Sequence, residues 1–304
     1  MPDVPTRRPA TATVAAASTS PPAAPWPTRR GPLRRYLEAR GVLGGHAAPH
    51  SQTRLVAADG THLAGTHLAG PADAPGAVLL LHGFAANRRK PAYARLADGL
   101  SQSCGVLALD LRGHGGSAGQ CTWGDREVED VRAGLRWLRA YGYPRVALLG
   151  LSMGGTAAIH AAAEDHDIDL LATISAPAWF HHPPATEPLV RLHTVWHSPV
   201  RRAALRAGLG VTLATPRVWR DPPHPVEMAR AVTAPWLVVH GEDDAYFPFA
   251  EAEALAAAAG GPVTVWRQPA GFGHAEDGLA PPFVTALAAA LTAGLRGEPL
   301  PAAT

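Results

Sequence analysis

The stretch Gly150-Leu151-Ser152-Met153-Gly154 sets a serine between two glycines. It follows an apolar run at residues 146–150 and precedes a helical stretch at residues 153–164. A sharp strand-to-helix turn of this kind forces the serine into strained backbone geometry and lifts its hydroxyl above a sheet. Gly150 and Gly154 suit it because the turn brings backbones close together. A serine hydroxyl is a weak nucleophile until a base takes its proton. Of the fifteen histidines, His274 has the right placement for that base: it ends Gly271-Phe272-Gly273-His274, a Gly-rich loop after the last strand-like run. A carboxylate must fix the tautomer of such a base and stabilise its imidazolium. Glu242, Asp243 and Asp244 all follow the end of another apolar run and remain equal candidates on residue type alone. These groups point to acyl chemistry at Ser152.

The elements that must hold them are legible as alternation. Short apolar runs at residues 78–82, 106–110, 146–150, 170–175 and 236–240 have the length and continuity of parallel strands covered on both faces. Helical stretches lie between them at 91–102, 125–140 and 153–164. In the second of these, Val128, Val131, Leu135 and Leu138 form one stripe. A helix at 249–259, a strand at 263–268 and a helix at 282–295 complete the pattern. Strands at 53–58 and 61–68 flank Asp59-Gly60, a hairpin signal. Strand–helix alternation predicts an α/β fold with a mostly parallel, doubly wound sheet. Residues 176–232 break the rhythm: about 57 residues separate two strands, far more than a crossover needs. Ligands of open α/β sheets bind beyond the carboxyl ends of the strands, so this insert is expected to be a helical lid. The domain reading is a basic Pro/Ala-rich disordered tail at 1–40, with a short helix at 33–40. A core at 41–175 and 233–304 and a lid at 176–232 make up the rest.

Together the motifs resemble the α/β-hydrolase superfamily over residues 53–295, and within it lidded serine hydrolases of the monoacylglycerol-lipase and serine-aminopeptidase type. The resemblance rests on His82-Gly83-Phe84, on Asp110-Leu111-Arg112-Gly113-His114-Gly115-Gly116-Ser117 and on the Ser152 turn. Gly241-x-x-Asp244-x-x-x-Pro248 and Gly273-His274 complete it. It implies a triad of Ser152, Asp244 and His274, choosing Asp244 because that family places its acid three residues after the glycine and four before the proline. It also implies an oxyanion hole built from the amides of Phe84 and Met153. His82 and His114 are expected to order loops near the site, and Asp110 and Arg112 to make local polar contacts. Glu127 and Asp130 are expected to sit at the favourable end of a helix dipole.

The expected activity is cleavage of a carboxylic ester or related acyl bond, with no cofactor and no metal. His193 and His197, the one lid pair at helical ligand spacing, are expected to be solvated. Acyl transfer or C–C bond hydrolysis on the same triad is the alternative. A non-catalytic binding protein would ordinarily lack part of the triad. Trp179, Trp196 and Trp219 in the lid are candidate substrate contacts, favouring an apolar or aromatic acyl group. The lid also carries seven Arg against Glu187, Asp221 and Glu227, which raises an anionic substrate feature against a solvated basic face. A net charge of +2 argues against a general nucleic-acid binder. No stretch approaches the roughly 18 apolar residues of a membrane span. Cys104 and Cys121 are too few for a disulfide scaffold or a Cys-rich zinc site and are expected to be ordinary buried thiols. Arg7-Arg8 before residues 11–18 makes a poor export signal, so the expected location is the cytoplasm and the expected partner a small-molecule acyl substrate.

Overall fold

A computed structural model describes residues 44–165, 167–181, 183–215 and 222–302. The tail at 1–40 and the helix expected at 33–40 lie outside the described residues, as does Trp219. The strands are β1 (Ser51–Val56), β2 (His62–Leu68), β3 (Ala77–Leu81), β4 (Gly105–Asp110), β5 (Val146–Leu151), β6 (Leu170–Ile174), β7 (Trp236–Gly241) and β8 (Val263–Gln268). They form one sheet in the order β1-β2-β4-β3-β5-β6-β7-β8. β1 and β2 form the expected hairpin, β2 runs antiparallel to β4, and every pairing from β4 to β8 is parallel.

The helices are α1 (Pro91–Leu100), α2 (Glu127–Tyr141), α3 (Met153–Glu164), α4 (Glu187–His197), α5 (Pro199–Leu209), α6 (Pro225–Ala229), α7 (Ala250–Ala258) and α8 (Pro281–Arg296). The reason the central strands read as unbroken apolar runs is visible in how successive residues divide. Leu79 and Leu81 of β3 join one core layer with Val131, Leu135 and Leu138 of α2. Val78 and Leu80 join the other, with Leu96 and Leu100 of α1 and Leu287 and Leu291 of α8. Both faces are buried, so no position in β3 tolerates water.

The winding reverses at β3, whose neighbours are β4 on one side and β5 on the other. A crevice opens at the carboxyl ends of strands flanking such a reversal, and there lie Gly83-Phe84 after β3 and Ser152 after β5. The insert between β6 and β7 supplies α4, α5 and α6. α4 and α5 pack on each other, whereas α6 packs on α3 and α7. Residues 211–214 tie the insert down: Cys121 N–H donates to Thr212 O and Ala214 N–H to Cys121 O, both at 2.8 Å. Cys104 and Cys121 are buried free thiols. Among the described residues no helix is long and apolar enough to cross a membrane, and no cluster of three or more His, Cys, Asp or Glu has the arrangement of a metal site.

Candidate active site

Ser152 stands between β5 and α3 with φ 51° and ψ −119°, a conformation L-residues avoid. Such a backbone costs about 1–3 kcal/mol and persists only where its surroundings over-determine it. Here Ser152 N–H donates to Ile174 O at 2.9 Å, and Ser152 O accepts from Gly155 N–H at 2.8 Å and Thr156 N–H at 3.1 Å. The flanking glycines are obligatory on contact grounds. A Cβ on Gly150 would lie 2.3 Å from Gly154 O, and one on Gly154 would lie 2.5 Å from Leu81 O.

The structure brings Ser152, His274 and Asp244 together from three distant parts of the chain. His274 Nε2 is 3.0 Å from Ser152 Oγ. His274 Nδ1 is 2.9 and 2.8 Å from the two Asp244 carboxylate oxygens. A carboxylate on Nδ1 dictates the tautomer: Nδ1–H donates to Asp244, and Nε2 is left to accept the Ser152 hydroxyl. Burial pushes the Asp244 carboxyl up, but the His274 hydrogen bond and charge, the Phe247 amide and the nearby His240 outweigh it and hold the group below its ordinary range. Asp244 Oδ1 also accepts from the amides of Tyr246 at 2.9 Å and Phe247 at 3.0 Å.

The three neighbouring carboxylates therefore have separate partners. Glu242 pairs with Arg267 at 2.8 Å, and Asp243 accepts from Gly271 N–H at 2.6 Å, at the start of the loop that carries His274. That loop has a second anchor. Ala275 N–H donates to the buried Ser175 Oγ at 2.9 Å, and both residues have positive φ. A third is the ion pair between Lys90 and Glu276.

Phe84, one of the two expected oxyanion donors, lines the same cavity as Ser152, and Met153, the other, follows the serine directly. Gly83, next to Phe84, stands so close to Ser152 that a Cβ on it would lie 3.3 Å from Ser152 Cβ. Gly83 N–H is used, donating to Tyr93 Oη at 2.9 Å. Among the described residues no protein acceptor takes the amide of Phe84 or that of Met153, the first residue of α3. Two neutral histidines shape the Phe84 loop. His82 Nδ1–H donates to Gly83 O at 2.8 Å, and its Nε2 accepts from Leu111 N–H at 3.0 Å. His114 Nδ1–H donates to Arg112 O at 3.1 Å, and its Nε2 accepts from Ala85 N–H at 3.3 Å. Burial, with His82 beside it, pushes the His114 imidazole down to about 4. Burial likewise lowers His82, against the raising effect of Asp110.

Asp110 accepts from Arg88 N–H at 2.8 Å and Gly116 N–H at 2.7 Å and pairs with the Arg88 guanidinium. Glu127 and Asp130 do more than face a helix dipole. Both are fully buried and bond sideways. Glu127 accepts from the amides of Thr122 at 2.7 Å and Gly124 at 2.9 Å, fixing the turn that presents Trp123 at φ 58°. Asp130 accepts from the amide of Arg112 at 2.8 Å and from its guanidinium at 2.7 and 2.9 Å.

Ser152 and His274 line a cavity of about 860 Å³. Phe84, Trp123, Tyr246 and Phe247 form part of its wall, with Leu189, Arg191 and Leu192 of α4 and the carboxyl end of α5 opposite. Trp179 and Trp196 line a smaller, adjoining cavity. Trp123, Tyr93, Ser175, Tyr246 and Phe247 escaped the sequence reading; Tyr246 and Phe247 alone had a signal, since they lie within the Asp244-x-x-x-Pro248 stretch.

A family model described as alpha/beta hydrolase fold matches residues 76–197. The chain has the α/β-hydrolase fold. The matched stretch holds Phe84, Ser152 and Met153 and stops short of Asp244 and His274. Among solved structures, the Pyrococcus furiosus esterase Pf2001 is 19% identical with a TM-score of 0.63, over 84% of this chain and 98% of that one. The esterase RhEst1 from Rhodococcus sp. ECU1013 is 20% identical with a TM-score of 0.59, over 81% and 99%. A membrane phospholipase A described as a bacterial virulence factor is 21% identical with a TM-score of 0.58, over 87% and 90%. No curated protein sequence matches the chain.

Proposed function

We propose that this α/β hydrolase is a serine esterase that cleaves a carboxylic ester or related acyl bond through an acyl-enzyme on Ser152. The observation that carries the reading is the continuous relay from Ser152 Oγ through His274 to Asp244, at 3.0 and 2.8 Å, with the serine on a strained turn. His274 Nε2 takes the hydroxyl proton as Ser152 Oγ attacks the carbonyl carbon. Asp244 stabilises the imidazolium that forms. The carbonyl oxygen becomes an oxyanion, which the amides of Phe84 and Met153 bind in our assignment. Fixed donors of this kind need no reorganisation, and each is worth about 3–4 kcal/mol to the transition state. Met153 N–H also stands at the positive end of the α3 dipole. His274 then returns its proton to the leaving alkoxide. Water, deprotonated by the same nitrogen, attacks the acyl-enzyme and releases the acid. In this reading α4 and α5 are the lid, covering the reacting atoms and supplying the far wall of the cavity. The esterase descriptions of the similar structures agree with this chemistry.

A fluorophosphonate probe tests it. Expected is stoichiometric labelling on Ser152, with Ser152→Ala unlabelled and its turnover of a chromogenic ester reduced on the order of 10⁶-fold. A folded protein that resists the probe, or labels elsewhere, overturns the proposal.

A further inference from the structure

Beside the cavity that holds Ser152 lies a second one, of about 90 Å³. Its walls are rings and aliphatic chains, chiefly Trp123, Trp179, Phe180, Leu192, Trp196 and Phe247. The two cavities share Trp123, Leu189, Leu192 and Phe247. Two of these shared residues pack on groups around Ser152. Phe247 packs on His274 with ring centroids 5.7 Å apart, and Trp123 packs on Phe84 at 4.9 Å and on Trp196 at 6.2 Å. The small cavity therefore adjoins the groups around Ser152. No Arg, Lys, Asp or Glu lines it among the described residues. Its histidines have neighbours of their own: His181 bonds the buried Glu251 at 2.5 Å, and His193 and His197 face each other at 4.3 Å.

We propose that this cavity seats the acyl tail of the substrate and that the tail is a short straight hydrocarbon chain. The inference rests on the reading of Ser152 as the nucleophile. Size decides between a chain and a ring. An apolar cavity of about 150 Å³ holds benzene, with its six carbons. A volume of about 90 Å³ is too small for a phenyl group. On the benzene scale it takes about three to four heavy atoms. With the carbonyl carbon and its first neighbours still in the larger cavity, the preferred acyl group has about four to six carbons. Each methylene that enters such a pocket improves kcat/KM roughly four-fold until it is full. The anionic feature raised by the arginines of the insert has no counterpart here, so the acyl end is neutral.

The test is a series of p-nitrophenyl esters from acetyl to dodecanoyl, with benzoyl and phenylacetyl esters added, on the whole chain. The wild type is expected to peak at about four to six carbons and to disfavour both aryl esters. Leu192→Trp fills the pocket from α4 and moves the optimum to acetyl. Trp179→Ala removes the outer wall, 38% exposed in the wild type, and moves the optimum two or more carbons longer. Identical profiles in all three proteins, or a preference for the aryl esters, overturn the inference. Fluorophosphonate labelling of each variant separates the two proposals. If Ser152 labels and esters turn over while the profile does not move, the tail pocket falls and the esterase stands. If Ser152 does not label in a folded protein, the esterase reading itself falls.

Discussion

Lowering the pH from 7.5 to 5 should destabilise the fold through histidines buried as neutral rings. His114 is fully buried and His67 is 3% exposed. Burial pushes both imidazoles down to about 4 from an ordinary value of 6.5. The folded state thus holds its protons more weakly than the unfolded chain. Their contribution is complete above pH 6.5, shrinks as pH falls, and is gone near pH 4. Each ring thus contributes about 3 kcal/mol over the whole window, of which about 2 kcal/mol is lost by pH 5. Two rings give about 4 kcal/mol at pH 5, a large share of the 5–15 kcal/mol typical of a domain. The carboxylates act differently: burial, outweighing the bonds from Arg112, raises Asp130 to about 7, so its protonation opposes the histidines as pH falls to 5. Asp59 is held near 2 by its bonds to Arg112 and Thr61 against the opposing effect of burial, so its contribution is lost only below this window. The assay is urea unfolding followed by tryptophan fluorescence at pH 7.5, 6 and 5. His67→Phe isolates one ring: His67 lies against Trp137 and Tyr141, with a single bond, to Tyr143 Oη at 2.8 Å. That variant should lose about 2 kcal/mol less than the wild type between pH 7.5 and 5. A pH slope unchanged in His67→Phe refutes the reasoning. His114 links this to activity, since a protonated Nε2 can no longer accept from Ala85 N–H beside Phe84.

Asp244→Asn should lower kcat on the order of 10⁴-fold, whereas Asp243→Asn, which keeps an oxygen for Gly271 N–H, should stay within about ten-fold; steady-state ester hydrolysis reads both, and equal losses would mean that the acid is misassigned. Ser175→Ala strands the buried Ala275 amide, at a cost of about 1–3 kcal/mol, and loosens His274; kcat should fall about ten-fold at unchanged KM, and an unchanged kcat would leave Ser175 with no positioning role. Gly154→Ala puts a Cβ 2.5 Å from Leu81 O and should cost about 3 kcal/mol or more, read as a fall in Tm of roughly 10 °C; a wild-type Tm would show that the turn has room to relax.

The strands were readable because a parallel sheet buried on both faces leaves the same mark at every position, as in β3, β4 and β5. Ser152 was readable because the turn restricts residue type locally: Gly150 and Gly154 are forced by contacts within a few residues. The acid was a different matter. Glu242, Asp243 and Asp244 are adjacent and chemically alike, and they are separated by where the chain turns after β7. Residue type alone left all three open, and the family resemblance chose the one that meets His274. Ser175 and Tyr93 were not legible for the opposite reason. Each acts through one contact to a residue whose nearness is a product of the fold. Ser175 meets Ala275 across 100 residues of chain, and no local pattern marks a serine for that. Trp123 was lost for want of a motif: its place depends on a buried glutamate four residues on.

The arginines of the insert show how composition can point at a substrate when it is describing the fold. Seven arginines over residues 176–232 read naturally as a basic cover over an acidic body. Arg202 instead reaches inward to the carbonyl oxygens of Leu213 at 2.7 Å, Ala214 at 2.8 Å and Trp196 at 3.3 Å. It thereby pins the end of α4 to the strip that pairs with Cys121. Arg201 bonds Thr194 at 2.7 Å, and Arg191 bonds Glu187 at 2.5 Å one turn away. Short proline-flanked helices such as α4 and α5 leave terminal carbonyls without intrahelical partners, and a guanidinium, with five donors in a fixed fork, satisfies several at once. Arg191 alone of these three lines the Ser152 cavity. An anionic group on the substrate would have to draw it from Glu187, an exposed pair of the kind worth about 0.3–0.5 kcal/mol. So weak a tether neither requires such a group nor forbids it. The apolar walls that join Trp123 and Phe247 to the smaller cavity are therefore the stronger constraint on what the site accepts.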